Sequence, residues 1–328
     1  MRRIAGLLLT LALAACTPAV QSPLPVAPGF TGPRLEADAF ISHDGARLPM
    51  SVWRPEAEPW AVIVAVHGMN DNRRTWHMAG PWWAEQGVVT YAYDQRGFGG
   101  SPGRGVWAGE ALLTDDLRTL VSLVRARHPR ATVAVVGESL GSAVAIVAFA
   151  SDRPPDADRV VLLAPAVWGW SSQPLPNRAA LWVAARLLGE TAVEPPEFAV
   201  RDIYASDNLI ELYRMGRDPG FLTTTRFDTL YGLVGMMEAG SQRLSAVRAP
   251  MAYLYGGRDQ IITLEPTQRA LRNLPPQARE AFYPEGHHLL VRDHEAEVVM
   301  ADVLAFMRDP RAPWPSGAGA VPRGSDRR

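Results

Sequence analysis

The sequence contains no lysine; all 33 of its basic residues are arginines. It has one cysteine, so no disulfide can close within the chain. It also lacks an excess of charge of either sign. The 33 basic and 34 acidic residues leave a net charge of −1, with no global field to attract nucleic acid or an anionic membrane face. No apolar run reaches the roughly 20 residues that a membrane-spanning helix needs, which excludes a multi-span membrane protein. What is present is a balanced composition, 47% hydrophobic and 20% charged over 328 residues. That excludes a disordered chain or a coiled coil and suffices for a sizeable core.

The chain opens with Met1-Arg2-Arg3, followed by a short apolar stretch over 4–14 that ends in small residues. A basic start, a short apolar run and small residues describe an export signal. The sequence Leu13-Ala14-Ala15-Cys16 resembles the lipobox of bacterial lipoproteins. The resemblance implies cleavage before Cys16, with lipidation of its sulfur and new amino terminus. The protein would then be exported and anchored to a bacterial membrane, facing the periplasm; stable anchoring takes more than one acyl chain. Residues 16–34 carry Pro18, Pro23, Pro25, Pro28 and Pro33 and read as an extended tether. Residues 309–328 are rich in Pro, Gly, Ala and Arg and read as a flexible tail, which leaves a folded body over 35–308.

Within that body, apolar runs at 61–66 (AVIVAV), 88–93, 132–136, 159–163, 251–255 and 281–283 alternate with helical patterns at 74–86, 108–127, 140–151, 264–274 and 296–307. Runs apolar on both faces suit strands covered by helices on either side, so the fold class is α/β with a mostly parallel sheet. Segments 37–42 and 48–54, joined across Asp44-Gly45, read as an edge hairpin. Residues 167–247 break the alternation. They show helical patterns only and carry Trp168, Trp170, Trp182, Tyr213 and Tyr231, as expected of a helical cap with adaptable apolar walls.

Gly137-Glu138-Ser139-Leu140-Gly141 lies between the 132–136 run and an apolar helix. This Gly-x-Ser-x-Gly in a strand–turn–helix context marks a nucleophile elbow, in which Gly137 and Gly141 let the chain turn sharply. A serine needs a base to take its proton, and this arrangement orders the groups serine, acid, histidine. His287, His288 and His294 lie after Ser139; the first two directly follow the last strand. Asp259 follows the 251–255 strand, placed to orient an imidazole. Oxyanion donors would be the amides of Leu140, just after the serine, and of Met69, in the loop after 61–66. His67 reads as a brace for that loop. No metal-ligand spacing is present, so neither metal nor cofactor is expected.

Taken in order, His67-Gly68-Met69-Asn70, Asp94-Gln95-Arg96-Gly97, the serine pentapeptide, Gly256-Gly257-Arg258-Asp259 and the 283–290 segment resemble the α/β-hydrolase fold. Within that fold the likeness is to the monoacylglycerol lipase and lysophospholipase-like (serine aminopeptidase-like) group. The family's closing Tyr-Pro-x-x-x-His-x-Leu pattern places the base at His288, with His287 the fallback, and implies a structural role for Asp94. Met69 departs from the small residue usual at the oxyanion position.

The reading is a serine hydrolase that cleaves carboxylic esters, with small lipids of the monoacylglycerol or lysophospholipid type as substrates. The alternatives are an aminopeptidase or amidase on the same machinery, or a small-ester carboxylesterase. The membrane, through the Cys16 anchor, is the one macromolecular partner expected; nucleic acid is not.

Overall fold

A computed structural model of the chain describes residues 17–195 and 201–323. The export signal and Cys16 lie outside the described residues. Eleven strands are present among them: β1 Arg34–Leu35, β2 Ala39–Ile41, β3 Arg47–Trp53, β4 Ala61–Val66, β5 Val88–Tyr93, β6 Thr132–Glu138, β7 Arg159–Leu163, β8 Ala192–Val193, β9 Thr225–Arg226, β10 Met251–Gly256 and β11 Arg279–Tyr283. Nine of these form one sheet in the order β1-β2-β3-β5-β4-β6-β7-β10-β11. The β1–β2, β2–β3 and β3–β5 pairs are antiparallel, and every pair from β5 to β11 is parallel.

The alternation of β4 explains why its six residues are all apolar. Val62, Val64 and Val66 enter one core, and Ala61, Ile63 and Ala65 enter the other, because successive side chains leave opposite faces. Helix α1 (Ala79–Glu85) and the last helix (Ala296–Arg308) cover one face; α2 (Gly109–Arg127) and α3 (Leu140–Phe149) cover the other. Residues 74–86, read as one helix, form a 3-10 turn at Arg73–Trp76 and then α1. Pro81 has no N–H to give. Starting the helix at Ala79 puts it in the first turn, where none is required.

The cap between β7 and β10 contains α4 (Leu175–Leu187), α5 (Leu209–Arg217) and α6 (Phe227–Arg243). It also holds a two-residue ladder between β8 and β9, too short to show as an alternating pattern. Helix α6 roots the cap on the body by burying Val234, Met236 and Met237. No helix among the described residues is long and apolar enough to cross a membrane.

Both ends of the body differ from the sequence reading. The tether is without helix or strand up to β1, yet it is held to the body. Gln21 donates from Nε2 to the Val106 carbonyl (2.7 Å), and the Leu24 amide donates to Asp44 (2.9 Å). Residues 309–323 are not a loose tail. Trp314 packs on Phe306 and donates to the Glu280 carbonyl (2.7 Å), Gly319 bridges Phe282, and Val321 is buried. This segment covers the outer edge of β11, which would otherwise expose unpaired backbone groups. Its Pro and Gly content suggested looseness; Trp314 was the contrary signal.

Candidate active site

The β6–α3 turn places Ser139 at φ 53°, ψ −116°, in the left-handed half of backbone space where a residue with a Cβ is strained. Such strain persists only where the surroundings enforce it. Here the strand and helix meet too closely for side chains. A Cβ on Gly137 would lie 2.6 Å from the Gly141 backbone, and one on Gly141 would run into the Val66 carbonyl. Leu140 is the first residue of α3, so its N–H has no acceptor within the helix.

The loop after β4 lies against this turn. A Cβ on Gly68 would come 3.2 Å from the Ser139 Cβ. His67, fully buried, fixes the loop. Its Nε2 accepts from the Gln95 amide (3.0 Å), so its Nδ1 carries the proton and donates to the Gly68 carbonyl (2.7 Å). Burial pushes its pKa down against nearby carboxylates, which keeps it neutral. Met69 is half-buried against the core, and Asn70 follows at φ 63°. The Asn70 carbonyl accepts from Leu222 (2.8 Å), and its Nδ2 donates to Thr225 Oγ1 (2.7 Å), tying this loop to the cap. Asp94 holds the neighbouring loop through the amides of Arg73 and Gly100, each at 2.7 Å.

The loops after β10 and β11 supply the remaining groups. His288 Nδ1 and Asp259 Oδ2 are 2.8 Å apart, both buried. Asp259 Oδ1 accepts from the amides of Ile261 and Ile262, each at 2.8 Å. The carboxylate is therefore an acceptor throughout, the His288 proton sits on Nδ1, and Nε2 is left as the basic nitrogen. Burial disfavours the imidazolium, but the charge and hydrogen bond of Asp259, with the charge of Glu138, outweigh it and raise the His288 pKa. His287 is not joined to Asp259; its Nδ1 lies 3.6 Å from Asp293. His294 sits on the surface, its amide donating to Asp207. Among the described residues no hydrogen bond joins Ser139 Oγ to His288. Catalytic contacts of this kind tighten only with substrate in many hydrolases.

One feature of the site had no signal in the sequence. Arg292, fully buried, donates to Glu138 Oε1 (2.7 Å) and to Asp71 Oδ2 (3.0 Å). Glu138 precedes the serine, Asp71 ends the loop after β4, and Arg292 follows His288 by one turn. A single guanidinium therefore ties together three of the four loops of the site. Burial raises the Glu138 pKa, with Arg292 pulling it back and Asp71 adding to the rise.

A strained serine on a strand–helix turn, with an Asp–His pair on the loops after β10 and β11, defines an α/β-hydrolase. Residues 57–295 match the family model described as serine aminopeptidase, S33, and the chain belongs to that family. It is 24% identical over 282 residues to a monoacylglycerol lipase of Mycolicibacterium smegmatis, covering 82% of this chain and 95% of the relative. It is 23% identical over 261 residues to the monoglyceride lipase of Rattus norvegicus, covering 77% and 84%. Among solved structures, the fold is similar to a soluble variant of monoglyceride lipase from Saccharomyces cerevisiae, with a TM-score of 0.68 at 17% identity, covering 87% of this chain and 98% of that one.

Proposed function

We propose that this serine hydrolase cleaves carboxylic esters of small lipids, of the monoacylglycerol or lysophospholipid type, through an acyl-enzyme on Ser139. The observation that carries the reading is the 2.8 Å Asp259–His288 pair on the loops after β10 and β11, set beside the strained serine turn after β6. In this scheme Ser139 Oγ attacks the ester carbonyl while His288 Nε2 takes its proton. The amides of Leu140 and Met69 hold the oxyanion. The tetrahedral intermediate collapses, and His288 returns the proton to the departing alcohol. Water then attacks the acyl-serine, again giving its proton to His288; as this second intermediate collapses, His288 returns the proton to Ser139 Oγ and the carboxylic acid leaves. Asp259 keeps the imidazole in the required tautomer and stabilises the imidazolium.

The choice of lipid substrates is supported by the curated relatives named as monoacylglycerol and monoglyceride lipases. The apolar cap beside the site agrees with it. Lipidation at Cys16 would hold the enzyme in the cell envelope beside such substrates.

A chain-length series tests the proposal. kcat/KM is compared for short to long acyl esters and aminoacyl anilides, with Ser139→Ala as the blank. The proposal expects kcat/KM to rise toward medium or long acyl chains. Activity confined to acetyl and butyryl esters would indicate a small-ester hydrolase, and anilides cleaved above esters would indicate the aminopeptidase.

A further inference from the structure

Beside the Asp259–His288 pair, and separate from it, side chains from two distant parts of the chain converge. One ligand atom each from Asp207, His287 and Asp293 lies within 4.8 Å of the others. Asp207 belongs to the cap; His287 and Asp293 flank the loop that carries His288. We propose that these three residues form a binding site for a divalent transition-metal ion, with zinc the best match, that pins the cap to the histidine loop. This goes beyond the ester-hydrolase reading and does not depend on it.

The donor set is one imidazole nitrogen and two carboxylates, which suits Zn²⁺ better than the oxygen-only preference of Ca²⁺ or Mg²⁺. Zinc at about 2.0–2.2 Å from each ligand keeps tetrahedral ligands roughly 3.3 Å apart. The 3.6 Å between His287 Nδ1 and Asp293 Oδ2 is already close to that spacing. Asp207 is exposed and accepts from the His294 amide through Oδ1 (2.8 Å), which leaves its other carboxylate oxygen to complete the set, and water supplies the fourth position.

The second, independent observation is His287 itself. Its Nδ1 is buried and has no hydrogen-bond partner among the described residues, although two carboxylates lie close by. A buried polar atom left unmatched is costly, and a cation between the three groups removes that cost and the repulsion between the acids. Asp293 is held by hydrogen bonds from the His287 amide (2.7 Å) and from Ser206 (2.7 Å). Those two bonds are also the outer shell that would hold Asp293 in place as a ligand. Asp207 and His287 line a cleft of about 560 Å³, which gives an ion a route from solvent. Arg258, also on that cleft, is paired with Glu285.

The sequence did not suggest this site because its ligands stand at 207, 287 and 293, with no metal-binding spacing; only the cap's return to the body brings them together.

The test is titration of the metal-stripped protein with ZnCl₂ by calorimetry at neutral pH, with the thermal midpoint measured in parallel. The wild type should bind one equivalent and gain thermal stability. His287→Gln and Asp207→Asn, both at or near the cleft surface, should each weaken binding by about tenfold or more. His288→Ala and Ser139→Ala should bind as the wild type does. Unchanged binding in His287→Gln, or no binding by the wild type, overturns the proposal. Binding lost in His288→Ala also overturns it, because zinc would then be sitting on the catalytic pair. Fluorophosphonate labelling of Ser139 is read separately, so loss of the metal site and failure of the hydrolase reading remain distinct.

Discussion

Arg292 donates to Glu138 at 2.7 Å, joining the loop behind His288 to the residue just before Ser139, both side chains fully buried. The same guanidinium reaches Asp71 at 3.0 Å. Removing one partner of a buried ion pair leaves an uncompensated charge, at a cost of about 3–5 kcal/mol. Arg292→Met is therefore expected to lose stability of that order in urea unfolding, because Glu138 and Asp71 are left facing each other. Adding Glu138→Gln should restore part of the loss. A change below about 1 kcal/mol would show that the three loops are held by other means.

The raised pKa of His288 has a kinetic consequence. In the proposed mechanism the imidazole must be neutral to accept the serine proton, so activity is expected to fall as pH drops through its raised pKa. The acidic limb of the kcat/KM profile should thus lie above the ordinary histidine value of 6.5. Asp259→Asn removes the main group that favours the imidazolium. It should lower kcat on the order of 10⁴-fold and move the limb of the residual activity to lower pH. The stability linked to this shift has the matching sign: present below the unfolded-state pKa and lost as pH rises through the folded one. A limb that stays in place in Asp259→Asn would mean that another group titrates.

Gly141→Ala would place a Cβ against the Val66 carbonyl, a backbone atom of the central strand that cannot rotate away. Overpacking of this kind costs about 1–3 kcal/mol or more. The expected outcome is a folded but destabilised protein, by far-UV circular dichroism and thermal melting. Its activity should fall further than its stability, because the shift moves Ser139. Wild-type activity in this variant would contradict the close approach at the turn.

The C-terminal segment is part of the structure. Trp314 is buried against Phe306, and Arg279 stacks over its ring at 4.3 Å. Trp314→Ala should cost about 3–5 kcal/mol, the usual range for a buried tryptophan. A loss below about 1 kcal/mol would mean that the segment is not docked in solution.

These contrasts show where the sequence was informative. Strand β4 was legible because all six of its residues are buried on one face or the other, leaving an unbroken apolar run. The elbow was legible because its two glycines answer steric demands local to five residues. The Asp259–His288 pair followed from the order of strand ends, with the choice between two adjacent histidines taken from family resemblance. The Arg292 clamp was not legible. It joins residues 154 and 221 positions apart, and an ion pair between loops leaves no periodicity. The docked C-terminus was hidden by proline and glycine, which signal irregular backbone but not whether that backbone is packed.

In the proposed mechanism Ser139 is the nucleophile and His288 its base. The most direct test is fluorophosphonate labelling followed by peptide mass spectrometry. One adduct per chain is expected, on the Ser139 peptide, absent in Ser139→Ala and strongly slowed in His288→Ala but not in His287→Ala. An adduct that persists in Ser139→Ala, or that depends on His287 and not His288, would contradict it.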